Sequence, residues 1–253
     1  MFAFTPLWPA DMNMEADRHF GETATPEIPL VRFYTWEKPA ISFGRNQNAE
    51  RRLDLERCRL NGIPVVKRPT GGRELLHGHD ICYCVIRPFP SGITGVDARK
   101  LFSEINDVLV MALKTLGIDA EWGKFENRPR TIDGPCFVQT DSGEITVGGK
   151  KLVAAAQRVY PGCIIQQGSM PLARPQVDMV DYLRYGDRVA MRRKFENSTT
   201  YMQDHVQERI QMPRIVDAFK RSFESAHGVG ARPGAELFDE FARNILSSSW
   251  YSD

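Results

Sequence analysis

Two glycine pairs flanked by basic residues are the places where this sequence could bind or react with a ligand. The first pair lies in Arg68-Pro69-Thr70-Gly71-Gly72-Arg73, and His77 follows four residues after Arg73. Because glycine has no Cβ, the backbone can turn sharply there and approach a ligand closely. The exposed N–H groups of such a turn can bind a carbonyl, carboxylate or phosphate oxygen, and the basic side chains add donors. A plain β-turn with solvated arginines is the alternative interpretation.

The second pair, Gly148-Gly149, precedes two lysines and a run of three alanines, Ala154–Ala156. Neighbouring side chains on a strand point to opposite faces, so at most one of Lys150 and Lys151 can enter a cleft. The small alanine side chains leave room beside the backbone for a narrow apolar ligand. A hairpin with two solvated lysines would explain the same pattern.

Three further stretches carry reactive side chains. Cys136 follows a long polar segment, residues 123–135, and a loop cysteine near cations can act as a nucleophile, although a lone cysteine is more often a packing residue. In Gln166-Gln167-Gly168-Ser169, the serine has no Asp and His partners at a known triad spacing, so a hydrolase is not predicted. Cys82-Tyr83-Cys84 lacks the second Cys/His pair of a zinc site, and no metal is expected.

The overall composition excludes several classes of protein. The 253 residues include 33 basic and 32 acidic side chains, without the basic excess of a general nucleic-acid binder. No apolar run approaches the roughly 18 residues of a membrane span. The N-terminus lacks the pattern of a signal peptide, and the five scattered cysteines do not suggest a disulfide framework. We therefore expect a cytoplasmic protein that acts at neither nucleic acid nor membrane.

The elements that must position these residues are strands in adjacent pairs. Strands are predicted over residues 31–36, 40–44, 64–67, 81–87, 144–147, 150–159 and 163–166, and helices over 13–20, 53–60, 96–116, 213–226 and 235–246. The first two strands are predicted to form an antiparallel hairpin. Paired strands favour an α+β fold with a mixed, largely antiparallel sheet flanked by helices over a doubly wound fold. The chain is interpreted as one domain, 1–253, mostly helical from about 175 to 253.

Together these segments resemble the lipoate–protein ligase and octanoyltransferase family, whose catalytic domain shares its fold with the biotin protein ligases. The matching pieces stand in the family's order: Asn13–Asp17, Leu30–Trp36, Ser42–Gln47, Arg68–Arg73 with His77, Gly149–Lys151, and Ala156–Arg158. The resemblance implies an elongated tunnel for an octanoyl or lipoyl chain, with the acyl carbonyl near a lysine. Lys151 best matches that lysine, and Lys150 is expected to face outward.

The resemblance also implies roles for individual residues. Cys136 and Lys151 are the expected catalytic residues. Gly134–Phe137, with Glu144 and Lys151 at their spacings, is similar to the cysteine loop of one octanoyltransferase branch. The expected substrate-binding residues are Arg68, Thr70, Gly71, Gly72, Arg73, His77, Gly149, Ala154, Ala155 and Gly168.

The function implied is transfer of an octanoyl or lipoyl group to the lysine of a lipoyl carrier domain, by way of a Cys136 thioester. Acyl carrier protein is the expected donor, a lipoyl domain or glycine-cleavage H-type protein the acceptor, and no tightly bound cofactor or accessory C-terminal domain is expected. One alternative is an ATP-dependent lipoate–protein ligase that uses ATP and Mg to form lipoyl-AMP. The other is a non-catalytic acyl-binding homologue. Biotin ligation is a weaker option because the Gly-Arg-Gly-type signature is absent.

Several positions depart from the family pattern. Ala154 and Ala155 stand where a glycine and a serine are usual, and Gln167 stands where a histidine is common. Gly78-His79 replaces an acidic pair. Glu74 takes the place of a small residue, and its charge is expected to disfavour an anionic ligand beside the glycines.

Overall fold

A computed structural model describes residues 1–23, 25–123, 143–228 and 230–247 of the chain. Its strands are β1 (Phe2–Trp8), β2 (Leu30–Trp36), β3 (Ala40–Phe43), β4 (Val65–Lys67), β5 (Leu75–His77), β6 (Asp80–Pro88), β7 (Glu121–Trp122), β8 (Ile145–Val147), β9 (Lys150–Tyr160) and β10 (Cys163–Pro171). The α-helices are α1 (Ala10–Glu22), α2 (Ala49–Arg52), α3 (Leu55–Leu60), α4 (Gly95–Thr115), α5 (Arg188–Ser198), α6 (Met212–His227) and α7 (Ala235–Ser247). Short 3-10 helices span Met179–Tyr182 and Met202–His205.

The strands form two sheets, and the predicted α+β class is confirmed. Seven strands are ordered β1-β2-β6-β10-β9-β8-β7, and three are ordered β4-β3-β5. Only the β1–β2 and β3–β4 pairs among these strands are parallel. No helix in the described part of the chain is both long and apolar enough to cross a membrane.

The predicted hairpin of β2 and β3 is wrong, because the two strands lie in different sheets. One edge of β2 pairs with β1 and the other pairs with β6, so no edge is left for β3. β3 pairs instead with β4 and β5. The chain therefore leaves the large sheet after Trp36 and carries Ser42 into the small one.

Helices cover both faces of the large sheet. On one face, α4 and α6 pack against apolar strand residues, as the helical spacing of Leu101, Ile105 and Leu109 predicts. On the other face, α1 and α7 pack against a cluster that contains both Cys82 and Cys84. The two thiols share a face because they alternate along β6.

A buried ion pair fastens α1 to the sheet. The guanidinium of Arg32 donates to Asp17 at 2.9 Å, and both side chains are 1% exposed. Arg32 also donates to the side chains of Asn13 and Thr5, and it lies 4.3 Å over the ring of Tyr34. The charge is thus fully paired, as burial requires. The second carboxylate oxygen of Asp17 points towards the site described next.

Candidate active site

A small cavity of about 40 Å³ lies where the glycine–arginine turn meets the middle of the large sheet. Its walls come from α1, β2, β3, β5, β6, β9 and β10. Seven residues expected to bind substrate line it: Arg68, Thr70, Gly72, His77, Ala154, Ala155 and Gly168. Three others, Gly71, Arg73 and Gly149, are not part of this lining, and Gly149 lies exposed in the turn between β8 and β9.

The turn is held in shape by its own arginine. The Arg68 guanidinium is buried and donates to the carbonyl oxygens of Gly71 and Arg73 at 2.8 and 2.6 Å, and to Ser42. These donors are therefore used within the protein. Gly44 lets the turn lie against β3, because a Cβ there would come within 2.1 Å of the Gly72 carbonyl oxygen.

Gln167, which stands where a histidine is common in the family that the sequence resembles, connects the turn to the buried ion pair. Its amide nitrogen donates to Asp17 at 2.7 Å, and its amide oxygen accepts from the hydroxyl of Thr70 at 2.7 Å. One side chain thus joins α1, β10 and the turn. This departure from the family pattern has a structural partner on each side.

A second hydrogen-bonded chain, which the sequence did not reveal, supports the opposite wall. Ser42 Oγ lies 2.8 Å from His77 Nε2, and His77 Nδ1 lies 2.6 Å from Asp80. Ser169 donates to the same carboxylate at 2.7 Å, and the indole ring of Trp36 stacks on the imidazole. Burial alone would raise the pKa of Asp80, but His77, the Ser169 hydroxyl and the Gly78 N–H together hold it below its ordinary value.

This chain contains the potential ligands of a metal ion. Ligand atoms of His77, Asp80 and Cys82 all lie within 4.8 Å of one another. In the structure these atoms bond to each other instead, since the Cys82 thiol donates to Asp80 at 3.1 Å. Burial, the largest cause, raises the pKa of Cys82 well above its ordinary value and keeps it a thiol. Hydrogen bonds among these side chains therefore hold this wall of the small cavity in place.

Of the two lysines on β9, Lys151 is buried and Lys150 is exposed, as expected. The Lys151 ammonium forms an ion pair with Glu144, and its carbonyl oxygen accepts from the N–H of Thr200. Lys150 donates to the carbonyl oxygen of Glu196 at 3.0 Å. Lys151 therefore holds a buried positive charge three residues before Ala154, which lines the cavity. Cys136 lies outside the described residues.

Glu74 does not act as expected, because its charge is neutralised. The buried carboxylate is bound by Arg52, Gln47 and Tyr185. Burial would raise the pKa of Glu74, but these three partners lower it. The carboxylate is thus a structural anchor with its own counter-ion, and it is not among the residues that line the small cavity.

A larger cavity of about 180 Å³ adjoins the small one. Leu75 lines both cavities, and Leu75, Ala154 and Phe195 pack together between them. Thr199 lines the larger cavity and forms a bridge with Lys151. Lys151 itself lines neither cavity, but its backbone lies beside Thr199 of the larger one, and its strand continues to Ala154 of the small one.

One protein family matches most of the chain. Residues 9–224 match the family described as the lipoyl protein ligase A/B catalytic domain. The chain belongs to this family.

One relative and two solved structures show the extent of the similarity. Octanoyltransferase LipM of Kyrpidia tusciae is 31% identical over 238 residues, which cover 88% of this chain and 86% of the relative. A putative lipoate protein ligase from T. acidophilum, solved with bound lipoic acid, superposes with a TM-score of 0.73 at 21% identity, covering 97% of this chain and 93% of that one. A chain from the solved bi-partite lipoate protein ligase and its E2 lipoyl domain of Thermoplasma acidophilum superposes with a TM-score of 0.74 at 20% identity, covering 99% of this chain and 96% of that one.

Proposed function

We propose that this chain is an enzyme that transfers an octanoyl or lipoyl group to the lysine of a lipoyl carrier domain. The observation that carries the proposal is the buried Lys151 on the strand whose alanines line the small cavity. An apolar acyl chain beside Ala154 and Ala155 would present its carbonyl towards this ammonium. The similarity to a relative named octanoyltransferase favours transfer over ATP-dependent ligation.

The chemistry follows from a positive charge placed at a thioester carbonyl. The thiolate of Cys136 attacks the carbonyl carbon of the donor thioester, and Lys151 with the N–H groups near Gly71 and Gly72 stabilises the oxyanion. One such donor is worth about 3 kcal/mol in the transition state. The C–S bond to the donor breaks, and the donor sulfur leaves as a thiolate that takes a proton from solvent. The neutral amine of the acceptor lysine then attacks the acyl-enzyme, forms the amide and releases the Cys136 thiol.

Glu144 and the wall of the small cavity have supporting roles in this scheme. The Glu144 carboxylate balances the buried Lys151 charge and fixes the direction of its ammonium. The Ser42–His77–Asp80 chain and the Gln167 bridge hold the cavity walls, so that bound acyl chains meet a rigid surface. His77 and Arg73 act here as positioning residues.

The donor in this proposal is acyl carrier protein, and the acceptor is a lipoyl domain or a glycine-cleavage H-type protein. No tightly bound cofactor is required. The enzyme acts in the cytoplasm, which suits the four cysteines of the described segments, Cys58, Cys82, Cys84 and Cys163, all of them free thiols.

The test is octanoyl transfer to a purified lipoyl domain, followed by mass spectrometry of the acceptor. We expect transfer from octanoyl carrier protein without ATP, and a loss of about 10²–10³ in kcat for Lys151→Met. Lys150→Met is the matched control, because this neighbouring lysine is exposed, and it should retain activity. Modification that requires free lipoate, ATP and Mg would instead identify a ligase. Acyl binding with no transfer from any donor would identify a non-catalytic homologue.

A further inference from the structure

Three buried side chains in one wall of the small cavity bring three kinds of metal ligand together. His77 ends β5, Asp80 begins β6, and Cys82 lies two residues further along β6, on the same face as Asp80. None of the three is more than 5% exposed, and their ligand atoms all lie within 4.8 Å of one another. An imidazole, a carboxylate and a thiol therefore converge on one point.

The separations of these atoms are close to those around a tetrahedral zinc ion. With a Zn–S bond of about 2.3 Å and a Zn–N bond of about 2.0–2.1 Å, the sulfur and the nitrogen lie about 3.6 Å apart. The distance from Cys82 Sγ to His77 Nδ1 is 3.6 Å.

The carboxylate oxygen of Asp80 lies closer to both atoms because hydrogen bonds join them in the structure. It is 2.6 Å from the His77 nitrogen and 3.1 Å from the Cys82 sulfur. A zinc ion in place of the bonding protons requires this oxygen to move outward by only about 0.4–0.7 Å. The ligands are thus nearly in position before an ion arrives.

The outer atoms of the three ligands have hydrogen-bond partners of their own. Ser42 Oγ lies 2.8 Å from His77 Nε2, the ring nitrogen that faces away from the cluster. The indole N–H of Trp36 donates to Cys82 Sγ at 3.3 Å, and the N–H of the turn between β5 and β6 donates to the second oxygen of Asp80 at 3.0 Å. Metal ligands in proteins depend on such partners, which fix their orientation and tautomer.

The mixture of ligand atoms favours a thiophilic cation. Mg²⁺ and Ca²⁺ prefer oxygen ligands, whereas thiolate and imidazole suit Zn²⁺. Zn²⁺ commonly binds three protein ligands and leaves the fourth position to water. The negative charges of the Cys82 thiolate and the Asp80 carboxylate would balance the two positive charges of the ion, as burial requires.

The protons of the cluster can be rearranged without breaking its outer bonds. Binding releases the thiol proton of Cys82 to solvent. The remaining proton of the neutral His77 ring then lies on Nε2, from which it is donated to Ser42 Oγ. The freed lone pair of Nδ1 becomes the metal ligand.

The small cavity gives an ion access to these ligands. His77 and Cys82 are part of its lining, together with Ser169, whose hydroxyl donates to Asp80. A water from the cavity can therefore complete the coordination. Because the cavity holds only about 40 Å³, an ion and its water would take space that an acyl chain needs.

We propose that His77, Asp80 and Cys82 bind one Zn²⁺ ion, and that the bound ion inhibits acyl transfer by occupying the small cavity. The binding site is independent of the proposed function, whereas the inhibition rests on it. Cys84 is not part of the site, since its thiol interacts with Asp17 instead. The partners of Cys82 are thus His77 and Asp80, and not the second cysteine of its own strand.

Binding is tested on the full chain after treatment with EDTA and a reducing agent, with Co²⁺ and Zn²⁺ as probes. Tetrahedral Co²⁺ bound to a thiolate gives visible bands and a near-ultraviolet charge-transfer band. Competition with a chromogenic chelator measures the affinity for Zn²⁺, and we expect one ion per chain. X-ray absorption of the zinc-loaded, unmodified protein should show one sulfur at about 2.3 Å, with the other ligands at about 2.0–2.2 Å.

Two variants and two controls assign the ion to this cluster. Cys82→Ser should remove the charge-transfer band and weaken Zn²⁺ binding by at least about 100-fold, and Ser42→Ala should weaken it by about 10–100-fold. Cys84→Ser is the matched control, because it removes a buried thiol from the same strand, and it should bind as the unmodified protein does. Cys136→Ser, which removes the proposed nucleophile, should also keep the band.

Inhibition is measured as octanoyl transfer to a lipoyl domain with and without Zn²⁺. We expect the zinc-loaded, unmodified protein to lose most of its transfer activity and to regain it after EDTA. The activity of Cys82→Ser, whatever its level, should be the same with and without Zn²⁺. Equal inhibition of Cys82→Ser and the unmodified protein would assign the inhibition to another site.

Other results would overturn the binding site itself. One is the absence of binding, or an X-ray absorption spectrum without exactly one sulfur ligand. Another is a charge-transfer band that persists in Cys82→Ser and disappears in Cys136→Ser. If the metal-free, unmodified protein transfers no acyl group, the proposed function fails, while the binding measurements still decide whether the site exists.

Discussion

The reactivity of the cysteines gives a sharp test of the proposed nucleophile. Four of the five cysteines, Cys58, Cys82, Cys84 and Cys163, are buried, and burial raises the pKa of each. If Cys136 is a thiolate near Lys151, it should be the single fast-reacting thiol in the native protein. Alkylation with iodoacetamide measures this directly, because the thiolate is the reactive form.

The expected difference in alkylation rate follows from the raised pKa of Cys58. Burial, with a smaller contribution from Asp54, raises the pKa of Cys58 to about 11. Near pH 7.5, such a thiol is ionised about 300-fold less than an ordinary cysteine of pKa about 8.5. Restricted access slows the four buried thiols further. A Cys136 with a lowered pKa would exceed even the ordinary rate.

The assay is a time course of alkylation followed by intact mass and peptide mapping. We expect one adduct per native chain, at Cys136, and five after unfolding in guanidinium. Cys136→Ser should abolish the fast adduct, and Lys151→Met should slow it. Fast labelling of any buried cysteine would refute the burial argument. A Cys136 that reacts no faster than an unfolded cysteine would refute its assignment as an activated nucleophile.

Other predictions follow from the buried charges and the small cavity. Asp17→Asn breaks the buried pair with Arg32 and should lower the free energy of unfolding, measured in urea, by about 3–5 kcal/mol. Glu15→Gln, on the exposed side of α1, is the control and should lower it by less than about 1 kcal/mol. Equal losses in the two variants would contradict the burial argument. Ala155→Leu should shift transfer towards shorter acyl chains, and an unchanged chain-length profile would remove the acyl chain from this cavity. The lowered pKa of Glu74 stabilises the fold above the unfolded pKa of about 4.3, and this stabilisation is lost as the pH falls through the folded pKa. Glu74→Gln should therefore flatten the loss of stability below about pH 4.5 by up to about 1.4 kcal/mol per pH unit, and an identical slope would be inconsistent with a charged, paired Glu74.

Local patterns were sufficient to predict much of the fold. Helical spacing identified α4, and strand composition placed β8 and β9 on either side of the Gly148-Gly149 turn. Side-chain alternation predicted that only one of Lys150 and Lys151 enters a cleft, the family resemblance indicated Lys151, and the burial of the two lysines agrees with both. Short-range geometry determines the helix, the strands and the alternation, so the sequence alone could reveal them.

The first strand was missed because its pattern is interrupted. Pro6 cannot donate to a neighbouring strand, and the register with β2 shifts between Thr5 and Trp8. Leu7, within this irregular stretch, has a φ of 55°, which is unusual for a residue other than glycine. Because β1 is an edge strand with such a bulge, its apolar and polar residues do not alternate clearly along the sequence.

The contacts that hold the site were missed because they join distant parts of the chain. Asp80 receives a hydrogen bond from Ser169, 89 residues later, and Gln167 bridges to Asp17, 150 residues earlier. Glu74 was misjudged for the same reason, since its partner Arg52 lies 22 residues away on another element. Such pairings depend on strand register, which motif spacing does not contain.

The most direct test of the central claim is the intact mass of the protein after incubation with octanoyl carrier protein, before and after addition of a lipoyl domain. Acyl transfer through a covalent intermediate predicts a gain of one octanoyl group, located on Cys136, which passes to the acceptor lysine when the domain is added. It also predicts that Cys136→Ser forms no adduct. An unmodified protein that acylates the acceptor only with free acid and ATP would contradict the account.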